Sequence, residues 1–345
     1  MRFFILIWAL LVCCPSGMKA GIDNPTALAF RSDGTFKIVQ FTDIHYQTPS
    51  LRSDSVLRMM RAVAASEKPD LIVLTGDNVC SDHTAKAWRN LADTLAATGF
   101  PWCIVFGNHD QEHDLSKPQI IKLLRPFRNH LTQEGPEELP GTGNYILSVA
   151  SSQGNGKAAL LYFLDSHSSL NSKVMGTYDW LKAEQIVWYR KESQLLQQAA
   201  GGSPLPALAF FHIPVPEYKE LVASKQFIGI CKEAVCSPDV NTGMYAAMLE
   251  RGDVMGLFTG HDHDNNFIGQ LRGLCLAYGQ ATGKDTYGRI GQGARVILLY
   301  EGQRKFDTWI VKGYEQSNSV IAKDPSIPLR KIFTTRFENG QLSEI

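Results

Sequence analysis

The chain has 345 residues, 44% of them hydrophobic, enough to bury a large core in one domain or two smaller ones. Its 34 basic and 34 acidic residues balance to a formal net charge of +0, and no dense Lys/Arg run occurs. The electrostatic footprint of a nucleic-acid binder is therefore missing, while a small phosphorylated substrate stays compatible with the charge.

The first twenty residues stand apart. Arg2 precedes an unbroken apolar run over residues 3–14, and Pro15-Ser16-Gly17 leads to a small-residue edge at Ala20. The run is short for a membrane span and has the layout of a secretory signal. Residues 1–20 are therefore expected to be removed and the mature chain exported, periplasmic or extracellular, with no membrane span. A buried N-terminal helix or strand is the plainer alternative. A lipid anchor at Cys13 or Cys14 is weaker, because Val12 is a poor residue before a lipidated cysteine. Cleavage leaves Cys80, Cys103, Cys231, Cys236 and Cys275, an odd and widely spread set that is not a disulfide framework. Cys231 and Cys236 are near enough in sequence to bridge in an oxidising compartment. The others read as small apolar side chains.

Beyond Asp23-Asn24-Pro25, strand and helix signals alternate. Short apolar runs bounded by Gly or polar residues read as buried strands, the first over residues 36–42. Residues 53–66 follow with Val56, Leu57, Met60 and Val63 at helical spacing behind an N-cap at Ser53. A strand at 71–75 precedes a helix over 84–98 with Trp88, Leu91 and Leu95 on one stripe. A strand at 102–106 precedes a helical pattern over 115–130, marked by Pro118 and Pro126 near its ends. Two strands follow near 145–149 and 159–164. Residues 183–200 form the strongest helical pattern, with Ile186, Val187, Tyr189, Leu195 and Leu196 as its apolar face, stopped by Gly201-Gly202-Ser203-Pro204. The second half repeats the logic with a strand at 207–211, a helix at 242–250 and a strand at 254–259. Shorter strands are expected near 274–278, 295–300 and 306–310. No linker or repeat separates the halves. The pattern predicts an α/β fold of two packed sheets flanked by helices, one domain over residues 21–345. Its tail, 311–345, is weakly patterned, interrupted by Pro325 and Pro328, and reads as an extra hairpin or a surface wrap.

Five polar clusters sit just after five of the apolar runs: Asp43-Ile44-His45, Gly76-Asp77-Asn78, Gly107-Asn108-His109-Asp110, His212-Ile213 and Gly260-His261-Asp262-His263. Taken singly, each has an ordinary reading as a capped turn or a satisfied core histidine. Taken together, they place hard-oxygen and imidazole ligands at the carboxyl ends of strands, where α/β sheets bind ligands. That arrangement suits a site for two divalent metals.

In this order the five clusters resemble the signature of the calcineurin-like metallophosphoesterase superfamily: Asp-x-His, Gly-Asp, Gly-Asn-His-Asp/Glu, a lone His, then Gly-His-x-His. Residues 258–266 and Ala277-Tyr278-Gly279 look closest to a purple-acid-phosphatase-like subgroup. Purple acid phosphatases place a metal-binding Tyr three positions after the Gly-Asp aspartate, where this chain has Cys80, and they lack the histidine found here as His45. The resemblance thus implies the superfamily's general ligand set and not an iron–tyrosinate centre.

The resemblance implies a four-layer α/β/β/α sandwich of two mixed sheets. It implies two divalent ions (Mn, Fe or Zn) bridged by Asp77, one completed by Asp43, His45 and His263, the other by Asn108, His212 and His261. Phosphate esters would be hydrolysed by a hydroxide held between the metals, with His109 assisting the leaving group. Asp110 either orients His109 or caps its loop, and Asp262 or Asp264 could support the metal histidines. Tyr46, Tyr278 and Arg289 are the candidates for substrate contact, Arg289 as a phosphate clamp. The main alternatives are a phosphodiesterase or nucleotide hydrolase in place of a monoesterase, and a non-catalytic metal- or phosphate-binding protein on the same fold. A metallopeptidase of the His-Glu-x-x-His type finds no such helix here.

Overall fold

A computed structural model describes residues 27–154, 156–313 and 329–345; the expected secretory signal lies outside them. In chain order the first half holds β1 (Thr35–Phe41), α1 (Leu51–Glu67), β2 (Leu71–Thr75), α2 (Thr84–Thr98), β3 (Trp102–Val105) and α3 (Lys117–Leu124). Then come β4 (Tyr145–Ala150), β5 (Lys157–Phe163), β6 (Ser169–Ser172), β7 (Gly176–Tyr178) and α4 (Ala183–Ala199). The second half holds β8 (Ala207–Phe210), α5 (Glu217–Ser224), β9 (Phe227–Ile228), α6 (Met244–Arg251), β10 (Val254–Thr259), β11 (Ile268–Leu271) and β12 (Leu274–Tyr278). β13 (Gly293–Tyr300), β14 (Lys305–Gly313), β15 (Leu329–Glu338) and β16 (Gln341–Glu344) complete it.

Two mixed seven-stranded sheets result, ordered β16-β15-β14-β13-β1-β2-β3 and β4-β5-β8-β10-β12-β11-β9. β1, β2 and β3 are parallel, as are β5, β8, β10 and β12, and antiparallel strands flank both sets. The parallel strands are apolar on both faces because both faces are covered. Period-2 alternation sorts their side chains. Phe36 and Ile38 of β1 point between the sheets, while Val39 and Phe41 point to the helices. β8 does the same, with Leu208 and Phe210 inward and Ala209 outward. One core therefore lies between the sheets, and two more lie under α1–α3 and α4–α6. This is the four-layer α/β/β/α sandwich expected from the sequence.

Several boundaries differ from expectation for identifiable reasons. Ser50, not Ser53, caps α1, its hydroxyl accepting from the Ser53 amide at 3.2 Å. α3 stops at Leu124, because Pro126 cannot donate the next helical hydrogen bond. In α4, Val187 and Leu195 are 66% and 49% exposed, and the buried face instead includes Gln185 and Ser193. Gln185 is buried because its amide serves Asn144 Oδ1 and the Asp165 carbonyl at 2.7 and 2.8 Å. The described part of the tail, 329–345, is a hairpin that extends the first sheet through β15 and β16. Cys231 and Cys236 are both free thiols, each donating to a nearby backbone carbonyl, of Glu233 and Ala234. α5 and the separate β6–β7 hairpin had no clear sequence signal. No described helix is long and apolar enough to cross a membrane.

The inter-sheet layer is the part of the core that both halves share. Phe210 is fully buried there, with its ring 5.4 Å from Phe163 and 5.5 Å from Phe258. Phe210→Ala is expected to cost about 3–5 kcal/mol. The midpoint of urea unfolding at an unchanged slope measures this.

Candidate metal centre

Pairing between strands continues past their ends and builds the site. Beyond β1 and β2, the amides of Asp43 and His45 donate to the carbonyls of Gly76 and Asp77 at 3.1 and 2.9 Å. Beyond β8 and β10, the Gly260 amide donates to the His212 carbonyl at 3.1 Å. The two sheets are stitched together at the same end. Gly283 N donates to the Asp43 carbonyl at 3.0 Å, and the His261 amide donates to Asp43 Oδ1 at 3.0 Å.

This path bends the chain sharply. Asp43, His45, Asp77 and His261 all take positive φ, at 51°, 43°, 50° and 83°. Asp and His tolerate that region better than most residues, yet each such position still costs of order 1–3 kcal/mol. The approach is also close. A Cβ on Gly107 would lie 2.1 Å from Asp77 Oδ1, and one on Gly260 would lie 1.9 Å from Thr42 Oγ1.

Two buried groups of ligand-type atoms converge here: Asp43, His45, Asp77 and His263, and then Asp77, His212 and His261. Within each group the atoms lie within 4.8 Å of one another. Asp77 belongs to both. His45 Nε2 is 3.5 Å and His212 Nε2 3.1 Å from Asp77 Oδ2, and His263 Nε2 is 3.3 Å from Asp43 Oδ1. The outer ring nitrogens are fixed by backbone: His212 Nδ1 sits 2.8 Å from the Thr75 carbonyl and His263 Nδ1 2.9 Å from that of Tyr287. Each Nδ1 therefore carries a proton, and Nε2 turns inward.

What the inner atoms lack is a partner. His45 Nε2, Asn108 Oδ1, His212 Nε2 and His261 Nε2 are buried without a hydrogen bond, although such groups are normally satisfied. His212 Nε2 is near Asp77 without hydrogen-bond geometry, so that contact is electrostatic. Burial pushes the pKa of His45 down to about 4 and that of His261 to about 3, leaving both neutral. Burial also opposes charge on His212 and His263, but Asp77 and Asp43 respectively outweigh it and raise both to about 9. Protons thus gather on the imidazoles facing the carboxylates, which is where a cation would relieve them. Two carboxylates, four inward imidazole nitrogens and an amide oxygen form a donor set that fits divalent metal ions.

The other predicted residues separate clearly. His109 is at the mouth, 38% exposed in its side chain, with Nε2 4.0 Å from Asp77 Oδ2. Its Nδ1 pairs with Glu112 at 2.7 Å, so Glu112 and not Asp110 orients it. Asp110 caps the loop instead: its buried carboxylate accepts from the amides of Asn78, Val79 and Gly107 at 2.8, 3.1 and 2.8 Å. The i, i+3 spacing of His109 and Glu112 is the signal that could have shown this.

The substrate-side expectations fail for Tyr46 and Tyr278. Both are core residues, the Tyr46 hydroxyl held between Asp54 and Asn90 and the Tyr278 hydroxyl on Asp262. Arg289 is exposed, but its guanidinium is held by Asp264 at 2.7 Å and by the Lys232 carbonyl at 3.1 Å. Asp262 and Asp264 thus support the His261–His263 loop through Tyr278, the Cys236 amide and Arg289. Cys80 stays outside both ligand groups, with His113 Nε2 3.9 Å from its sulfur.

Because Gly107 leaves no room beside Asp77, Gly107→Ala should displace the shared carboxylate. We expect metal content per chain, measured by atomic emission, to fall well below that of the parent protein while the far-UV spectrum is retained. Unchanged metal content would show that the carboxylate can move without loss.

Residues 36–265 match the model of the calcineurin-like phosphoesterase family. The chain is 34% identical over 316 residues to a probable inactive purple acid phosphatase 29 of Arabidopsis thaliana, covering 82% of this chain and 81% of that protein. It is 28% identical to phosphatase DCR2 of Saccharomyces cerevisiae over 80% of this chain and 54% of that one. The fold is shared with a dimetal phosphatase from Danio rerio, at a TM-score of 0.56 and 14% identity over 79% of this chain and 95% of that one. With its family pattern, its sandwich and its buried Asp/His cluster all in agreement, the chain belongs to the calcineurin-like phosphoesterase family, among purple-acid-phosphatase-like relatives.

Proposed function

We propose that this protein is an exported, binuclear metal-dependent phosphoesterase that hydrolyses small phosphate esters. The observation that carries the reading is the set of four buried, unpartnered donor atoms on His45, Asn108, His212 and His261 around Asp77. Asp43, His45, Asp77 and His263 would hold one ion, and Asp77, Asn108, His212 and His261 the other. Bound there, the ions would supply Lewis-acid polarisation of a phosphoryl oxygen and an activated water near neutral pH. Export rests on the layout of residues 1–20.

The protein's own groups do the rest. Asp77 carries the charge that both positions share, and the His109 amide steadies its Oδ1 at 2.9 Å. Burial of the ligand histidines keeps bulk water from competing for their inner nitrogens. Glu112 accepts a hydrogen bond from Nδ1–H of His109, so in the imidazolium form the transferable proton is the one on Nε2 at the mouth. From there it can pass to the departing oxygen of the ester, a role worth typically 10²–10⁴-fold.

Three relatives are named as probable inactive purple acid phosphatases, which supports a second reading as a binding protein on the same fold. Against it, the full ligand pattern and His109 are present in this sequence. Metal analysis with paired assays on mono- and di-aryl phosphates separates the two. The enzyme reading expects two ions per chain and turnover of at least one substrate; bound ions without turnover favour the binding protein. His109→Ala should keep the metal and lower kcat by about 10²–10⁴, most for poor leaving groups. Full rate on a poor leaving group would refute the acid assignment.

A further inference from the structure

Two tyrosine rings wall the metal centre. Tyr287 stacks on His263, centroids 4.1 Å apart at 15°, and its hydroxyl is taken by Glu233. Tyr178 stands edge-on against His261 at 4.5 Å and 88°. Its hydroxyl makes no hydrogen bond to a described residue. Tyr178 is therefore the phenol beside the ligand histidines with a donor still to place.

Its position is held from both sides of the site. It ends β7, in a hairpin that joins neither large sheet. At the stem the Asp179 amide donates to the Ser168 carbonyl at 2.9 Å, and the Ser168 hydroxyl donates to the Asn108 carbonyl at 3.0 Å. Gln111 reaches the same hydroxyl at 3.3 Å. The hairpin is thereby tied to the loop of Asn108 and His109 in one sheet, while its tyrosine leans on His261 in the other. The hairpin tip faces solvent, with Val174 89% exposed.

A phosphate ester at this centre brings oxygens that need donors. Arg289 is committed to Asp264, and Lys182 to Asp179. A phenol is a protonated donor at neutral pH, and Tyr178 adds a donor without adding charge to a site built for cations.

We propose that Tyr178 donates its hydroxyl to a phosphoryl oxygen of the bound ester and so fixes the phosphate over the His261 side of the centre. This rests on the phosphoesterase reading above. The alternative is a purely steric wall that holds the His261 ring.

The test uses the full chain loaded with Mn²⁺, as the parent protein, Tyr178→Phe and the tip variant Val174→Ser. Metal content, inorganic phosphate binding by calorimetry, and kcat and KM for an aryl phosphate are measured on each. Tyr178→Phe keeps the ring against His261, so it should keep its metal and bind phosphate about 10- to 100-fold more weakly, the range of a hydrogen bond to a charged group. Val174→Ser should match the parent. Phosphate binding unchanged in Tyr178→Phe would overturn the proposal in favour of the wall, and loss of its metal would overturn it in favour of a hydroxyl that supports the centre itself. If the metal-loaded parent itself neither binds phosphate nor cleaves the ester, the phosphoesterase reading falls and takes this inference with it.

Discussion

Two carboxylates buried side by side are the constraint on which the rest of the site depends. Asp43 and Asp77 are almost completely shielded from solvent, and the side chains that pair with their carboxylates among the described residues are histidines. Burying such charges is expensive unless a counter-charge is supplied. Imidazoles can supply it only by taking protons, as His212 and His263 do against Asp77 and Asp43, while at His45 and His261 burial outweighs the pull of the carboxylates and the rings stay neutral. The chain therefore carries a deficit of positive charge at this point. Divalent cations would remove it, and their binding would release the protons from the two basic imidazoles.

Holding the carboxylates there takes strain in one place and satisfaction in another. The positive-φ turns at Asp43, His45, Asp77 and His261 each oppose folding, and the surrounding hydrogen bonds hold them in place. Asp110 is the clearest of these supports. Its carboxylate gathers three backbone amides of the loops that bear Asp77 and Asn108, and burial together with Asp77 raises its pKa to about 6. Lys117 has a similar office beneath the neighbouring loop, where it donates to both oxygens of buried Asp165 at 2.8 and 2.9 Å. Asp165 in turn accepts from the amides of Thr142 and His167. The rigidity of the centre is thus built from loops whose polar groups are turned inward and satisfied.

The mouth is organised differently from the floor. On the floor, imidazole nitrogens are buried, and backbone carbonyls aim those of His212 and His263. At the mouth, side chains from separate elements meet: His109 with Glu112 after β3, Tyr287 beyond β12, and Tyr178 on the small hairpin. Such contacts can vary without disturbing the ligand set, so substrate choice within the family would be expected to vary here first.

Much of the floor was legible in the linear sequence. Strand and helix periods and the five polar clusters at strand ends located the parallel strands of both sheets and the residues of the buried Asp/His cluster, because short-range pattern decides which residues lie at a strand terminus. Other residues depended on contacts between distant segments. Asp110 and Glu112 are two positions apart, and only the fold shows that the first caps a buried loop and the second holds His109. Tyr46 directly follows His45 and Tyr278 ends β12, yet both point into the core, where their hydroxyls are held by Asp54 and Asn90 and by Asp262. Tyr178 lies far from every cluster in sequence and reaches the centre only because the hairpin folds back over it. By itself the sequence determined the layers, through local periodicity, and the place of the Asp, Asn and His clusters at strand ends. The tertiary structure alone decided which side chains face the substrate, because that depends on how loops from two sheets are brought against one another.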